Sequence, residues 1–222
     1  MQDFDQIIRD RRSVRGFHAD RRVPRDALCE VLELAQRAPS NCNVQPWRVF
    51  IATGPARDRL RGALCDSVAR GELPKAEDAI DTFAGDYRRL QVACAVAMYH
   101  EMGIAREDYE GRMGATLRNF ELFDAPHVGI VCMDHRFGPR VAVDVGAYVQ
   151  TLLLALWSRG VASCAQASLT MYPDVIRREL AIPDELRILC GISFGYEDPA
   201  VPANRTRQAR EPIEANVKFI EE

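Results

Sequence analysis

The segment Val141 to Ser158 limits the folds open to this chain more than any other stretch. Val143, Val145, Tyr148, Leu152, Leu153, Leu154, Leu156 and Trp157 put apolar residues on nearly every face of a helix, and such a helix must be covered all round. Asp144 and Gln150 interrupt it, and it falls short of the roughly 20 apolar residues that span a bilayer, so no membrane crossing is expected. Two solutions stay open: the helix lies at the centre of a domain, or a second copy of the chain covers what the first cannot. With 222 residues, 47% of them hydrophobic, the chain can build a sizeable core within one domain.

Elsewhere the periodicity alternates between helix and strand. Phe4, Ile7 and Ile8 mark a short helix ending near Arg12, and Leu28, Val31, Leu32 and Ala35 mark a second that stops at Ala38-Pro39. Ser13-Val14-Arg15-Gly16-Phe17 forms a turn between them. Trp47 to Thr53 reads as a strand leading into a helix from about Pro55 to Ala69. A long helix is expected near Asp86 to Met102, strands at His127 to Met133, Val161 to Ala165 and Leu186 to Tyr196, and a helix at Pro173 to Leu180. The extended tail around Ile213 to Ile220 has too few partners of its own and is a candidate to pack on another subunit. Nothing divides the chain into repeats or linked units, so residues 1–222 are read as one domain with a C-terminal extension from about residue 204.

Several function classes drop out. A net charge of -3 gives no overall basic field for nucleic acid or an anionic membrane. The acidic start Met1-Gln2-Asp3-Phe4-Asp5 lacks the order of a secretory signal, and the expected location is the cytoplasm. Seven scattered cysteines without a Cys-x-x-Cys pair read as small buried residues in a reducing compartment, not as a disulfide or metal framework. The four histidines, His18, His100, His127 and His135, are isolated and read as surface or strand-edge residues, neither ligands nor bases. Asn204-Arg205-Thr206 matches a glycosylation acceptor, which a cytosolic chain leaves unused. Gly191-Ile192-Ser193-Phe194-Gly195 fits the letters of a hydrolase nucleophile elbow, but an elbow needs a helix next, and Tyr-Glu-Asp-Pro-Ala-Val-Pro follows instead. No histidine follows Ser193 to serve as its base.

Four stretches carry chemistry. Arg11-Arg12-Ser13-Val14-Arg15 gathers three guanidinium groups and a hydroxyl at a turn, enough for several charge-assisted hydrogen bonds to one phosphate. The loop Ala38-Pro39-Ser40-Asn41-Cys42-Asn43-Val44-Gln45-Pro46-Trp47 is dense in amides that offer donor and acceptor together, as the edge of a pyrimidine-like ring requires. Ser163-Cys164-Ala165-Gln166-Ala167-Ser168 puts small residues where backbone can lie against a planar ligand, and Arg205, Arg207 and Arg210 offer further phosphate donors. Each stretch alone is also consistent with an ordinary turn or solvated patch. Together they describe a ligand with a phosphate, a flat ring and an amide edge, which is flavin mononucleotide (FMN).

These residues resemble the nitroreductase family over nearly the whole chain. Arg11-Arg12-Ser13-x-Arg15-x-Phe17 looks like the family's FMN-phosphate motif, and Ala38-Pro39-Ser40-x-x-Asn43-x-Gln45-Pro46-Trp47 looks like its second signature. Asn119-Phe120, Ala125-Pro126, Asp144-x-Gly146, Cys164-x-Gln166-Ala167 and Gly191 to Gly195 are similar to later landmarks. The resemblance implies an α+β fold with a central mixed sheet flanked by helices, built as an intertwined homodimer with FMN at the subunit interface. By that likeness Arg11, Arg12 and Ser13 hold the phosphate, with Arg210 assisting and Arg205 or Arg207 taking the place of a basic residue that is here Gln208. Arg15 lies near N1 of the ring, Pro39, Ser40, Asn41 and Asn43 come from the partner subunit, and Ala165, Gln166, Ala167 and Ser168 cover the N5 side. A glutamate common beside N5 in the family is absent here. The implied reaction is a two-step exchange, hydride arriving from NADPH or NADH and leaving to a small electron-poor acceptor such as a nitroaromatic or quinone, with no catalytic side chain and no metal. A flavin-consuming enzyme and a non-catalytic flavin-binding protein remain alternatives, and residues 73–114 are the charged, helical segment where members of the family are expected to differ in substrate access.

Overall fold

The computed structural model describes residues 3–78 and 82–221. The first two residues of the acidic N-terminus, and residues 79–81 of the expected access segment, lie outside that description.

Proline and glycine set many of the element boundaries. Helix α1 (Phe4–Asp10) is followed by α2 (Arg25–Ala35), whose N-cap is Pro24. Strand β1 (Arg48–Thr53) passes through Gly54, at φ 55°, into α3 (Pro55–Ala69), which starts with proline at its first position, where the missing N–H costs nothing. Helix α4 (Gly85–Met102) stops at Gly103 in the left-handed conformation. Helix α5 (Tyr109–Leu117), absent from the sequence reading as a separate element, is capped by Asp108, whose Oδ1 accepts from Gly111 N at 2.8 Å. Then come β2 (His127–Asp134), α6 (Pro139–Ser158), β3 (Ala162–Gln166), α7 (Pro173–Leu180) and β4 (Leu186–Gly195). One short turn of helix, α8 (Ile213–Asn216), lies within what was expected to be a wholly extended tail.

The four strands form one sheet in the order β1-β2-β4-β3, and every ladder is antiparallel. The expected mixed character is therefore not found among the described residues, where the one parallel pairing is an isolated bridge between Ser13 and Ser163. Crossovers pass from one face of the sheet to the other, so both faces are covered and β2 is buried along nearly its whole length. On one face Leu28, Val31, Tyr148, Leu152 and Leu156 of α2 and α6 pack against Val131, Ile192 and Phe194. On the other, Leu60, Leu64, Val175 and Ile176 of α3 and α7 pack against Val128, Ile130 and Ile188.

Helix α6 extends further than the sequence indicated. At 20 residues it is long and apolar enough to cross a bilayer by those two measures. Its inner face, including Val145, Tyr148, Leu152 and Leu156, is instead part of the core against the sheet and α2. The opposite face is uncovered within one chain, with Val143 71% exposed. One chain thus meets half of the demand that the sequence makes.

Candidate functional site

The arginine turn after α1 is shaped by two apolar plugs. Val14 and Phe17 are buried with Phe123, Ala125, Ala162 and Cys164, which turns the residues between and before them toward solvent. Val14 N donates to Ser163 O at 3.1 Å and Phe17 N to Phe123 O at 3.2 Å, tying the turn to β3 and to the segment before β2. The far end of the chain closes it. Buried Asn204 accepts from Arg15 N at 2.7 Å and donates to Gly16 O at 2.9 Å and Asp198 O at 2.8 Å, using both ends of its amide. A side chain at Gly16 would meet Val201 at 2.5 Å, so only glycine lets the two segments approach this closely.

The charge of Arg210 acts on Arg11 although 199 positions separate the two (210 − 11). Burial and then the neighbouring Arg210 charge hold the Arg11 guanidinium below its usual range. Neither arginine has a carboxylate partner among the described residues. The buried Cys164 thiol is pushed up by burial and feels Arg15, a hydrogen bond from Ser13, and Arg11, so these side chains share one neighbourhood. Two cations and a hydroxyl without a counter-ion fit a phosphate group.

Arg12 does not join them. Its Nη2 donates to both carboxylate oxygens of Glu197 at 2.5 and 2.7 Å, Nε reaches Asn204 O at 3.4 Å, and the guanidinium lies 5.3 Å from the Trp157 ring. The expected phosphate ligand is a strut between the N-terminal turn and the end of β4. Arg205, offered as a second phosphate donor, pairs with Glu101 at 3.2 Å, and Arg207 spends Nη1 on the carbonyls of Asn204 and Thr206. Of the late arginines, Arg210 is the one whose charge acts on Arg11, although its Nη1 likewise donates to backbone carbonyls, those of Gln208 and Ala209.

Beside Arg15 opens a cleft of ≈ 510 Å³, walled by Phe83, Tyr87, Leu90, Gln91, Cys94, Ala95 and Met98 on the α4 side and by Ala115, Asn119 and Phe123 opposite. Of the expected site residues, Arg15 lines it. The α4 wall went unnoticed in the sequence reading, although positions 83, 87, 90, 94 and 98 repeat with helical spacing. No residue of α4 is buried, so this stripe faces the cleft and not a core.

Segment 165–168 divides its side chains between two environments. Ala165 and Ala167 are exposed, whereas Gln166 is buried, donating from Nε2 to Asn119 O at 2.9 Å and accepting from Ser193 Oγ at 2.5 Å. The Gln166 side chain is thus committed to internal packing, correcting its assignment as a ligand-facing group. Ser168 Oγ donates to Asn119 Oδ1 at 2.9 Å, so Asn119 fastens this strap to the cleft wall. Ser193 is fully buried in β4, which removes the nucleophile-elbow reading on access as well as context.

The loop Pro39 to Asn43 is not brought to Arg11 within one chain, nor does it line the cleft. It is an outward-facing loop held in a defined shape. Cys42, Asn43 and Gln45 have φ of 49°, 56° and 46°, Ser40 Oγ accepts from Gln45 N at 3.0 Å, and Asp144 Oδ2 accepts from Asn41 N at 3.0 Å. Left-handed backbone at three non-glycine residues costs energy and persists where surrounding bonds enforce it.

Two other expectations are corrected. His127 is 2% exposed, not a surface residue; its ring stacks on Phe194 at 5.1 Å and Nε2 accepts from Val23 N at 2.9 Å. Cys29, Cys42 and Cys94 are exposed rather than buried, and all seven cysteines are free. Among the described residues no cluster of histidine, cysteine and carboxylate groups could hold a metal.

Fold and site together define an α+β protein whose N-terminal arginine turn puts Arg15 on the wall of a largely apolar cleft. The chain belongs to the nitroreductase family, whose family model matches residues 8–196. It is 40% identical to a 4-nitrobenzoate reductase of Nocardioides sp. over 99% of this chain and 91% of that protein, and 36% identical to nitroreductase NfnB of Mycolicibacterium smegmatis over 98% and 93%. The crystal structure of the FMN-dependent nitroreductase NfnB from Mycobacterium smegmatis in complex with NADPH superposes with a TM-score of 0.93 at 35% identity, covering 98% of this chain and 97% of that one.

Proposed function

We propose that this chain is an FMN-dependent nitroreductase that draws electrons from NADPH or NADH and reduces small nitroaromatics, 4-nitrobenzoate being the first to try, or quinones. The observation that carries this reading is the largely apolar cleft lined by Arg15, four residues after Arg11, which feels the Arg210 charge and has no acid partner among the described residues. The relatives named above act on or bind such molecules, which supports it.

When bound, FMN supplies the ring that accepts two electrons from the nicotinamide and yields them to the acceptor. Arg11, Arg210 and Ser13 hold its phosphate, and Arg15 sets a positive charge where the ring gains electron density. Phe83, Tyr87, Leu90 and Met98 exclude water and stack on a flat organic molecule. The backbone of 165–168, fixed by Asn119, closes the opposite side. Donor and acceptor use the cleft in turn, and the protons that nitro reduction consumes with the electrons come from solvent, so the reading assigns no side chain as acid or base.

The active unit in this reading is a homodimer. A second copy covers the outer face of α6 and the apolar tail residues Phe219 and Ile220, 76% and 82% exposed, and lends Pro39, Ser40, Asn41 and Asn43 to the cleft. The chain acts as one domain in the cytoplasm, with residues from about 204 forming an extension that reaches the partner.

The test is the visible spectrum of the purified protein before and after anaerobic addition of NADPH, then NADH. Flavin bands that bleach with one nucleotide are the expected result, and 4-nitrobenzoate then restores them. Absence of flavin bands even after FMN is supplied overturns the reading. Initial-rate plots with donor and acceptor both varied run parallel if the cleft is shared.

A further inference from the structure

A second group of donors without an acceptor lies at the β1 edge of the sheet, whereas the Ser13 bridge lies at β3, the opposite edge. His127 pairs in register with Thr53, the residue that leads into Gly54 and α3. Because His127 Nε2 accepts from Val23 N, its proton resides on Nδ1, and that N–H is buried with no partner. Arg57, in the first turn of α3, has a side chain 13% exposed; its Nη1 pairs with Asp58 at 3.2 Å, and its buried Nε has no partner. The Arg22 guanidinium approaches Gly54, within 3.3 to 3.6 Å of where a Cβ would stand there. Gly54 provides no side-chain cap to the 15-residue helix; Pro55 has no N–H and Asp58 N donates to Gly54 O, so the N–H groups of Ala56 and Arg57 add to the set. The charges that act on the His127 ring are those of Arg22 and Arg57, both cationic. Every group named here except Asp58 offers hydrogens, and buried donors without acceptors are costly.

We propose that the N-terminus of α3, with Arg22, Arg57 and His127 Nδ1–H, binds a small oxyanion at a site separate from the flavin phosphate. Backbone N–H groups at a helix start and two planar guanidinium groups suit tetrahedral oxyanions and carboxylates alike. The site joins the β1 to α3 connection to β2 and to the segment before α2, so occupancy tightens that end of the sheet.

The experiment uses FMN-loaded protein labelled with ¹⁵N-histidine, so that the flavin already occupies the first anion site, and follows the four histidines while phosphate, sulfate or acetate is added. A saturable movement of the His127 Nδ1 signal, with His18, His100 and His135 still, is expected. Arg57→Gln and the exposed Arg22→Gln, which leave flavin content and turnover unchanged, should weaken that response at least about tenfold, the loss of one charge-assisted contact. Phosphate and sulfate acting without acetate assigns a tetrahedral anion, and acetate acting assigns a carboxylate; either upholds the site. No saturable change at His127, equal changes at all four histidines, or an undiminished response in both variants overturns it.

Discussion

Arg11 and Arg12 are adjacent in sequence and do unlike work. Arg11 feels the Arg210 charge with no acid to balance either, whereas Arg12 Nη2 donates to both carboxylate oxygens of Glu197. Arg11→Ala should therefore keep the fold and lose flavin, weakening FMN by about 1–3 kcal/mol, measured by fluorescence titration. Arg12→Ala should lower stability by a similar amount, about 1–3 kcal/mol in urea unfolding of flavin-free protein, because it strands the half-buried Glu197 carboxylate. Equal behaviour of the two variants would contradict the division. His127 gives a prediction in pH. Burial first, then Arg22 and Arg57, lower its pKa from 6.5 to about 4. The unfolded chain thus binds the proton more readily, and this contribution is complete above pH 6.5 and is lost as pH falls toward 4, about 3 kcal/mol in all. His127→Gln should flatten the pH dependence of urea unfolding across that window.

At the scale of elements, the parts of the sequence that describe their own neighbours were readable. Pro55 and Pro173 start α3 and α7 where expected, and the alternation of Val49, Phe50 and Ile51 yields β1. The arginine turn was readable for the same reason, since its donors are local. What could not be read depends on partners far along the chain. Arg12 and Glu197 are 185 positions apart, the strand containing His127 does not reveal which side is sealed, and the stripe on α4 has the spacing of a core helix although it faces an open cleft. Asn204 is the plainest case: three segments meet at its amide, and no one of them announces the meeting. Asn204→Ala should leave Arg15 N without its acceptor, while Gly16 O and Asp198 O keep the N–H groups of Asp198 and Val201, and should loosen the arginine turn. Weakened FMN binding, with Arg11, Ser13 and Arg210 all intact, is the result to look for. Unaltered affinity would show that the turn keeps its shape unaided.

For the whole molecule, the exposed face of α6 is the feature that one chain leaves unfinished. Val143 at 71% exposure stands on a helix whose other face is core, and the tail leaves Phe219 and Ile220 bare. On the proposed dimer, this exposed apolar surface is where the second copy packs. Sedimentation equilibrium should give twice the 25.0 kDa of one chain, and Val143→Asp should shift the mass toward 25.0 kDa with loss of flavin, because the loop at 39–43 would no longer meet a neighbour's cleft. A dimer unaffected by that change, or a monomer with full flavin, would refute the arrangement. The Asn204 clasp also orders events in time. Residues 11–16 leave the ribosome well ahead of the Asn204 amide that shapes them and of Arg210, the proposed partner of Arg11 on the phosphate. On the proposed assignment a growing chain can settle its sheet, but it captures no flavin until residue 210 has emerged, and chains interrupted before that point are left empty.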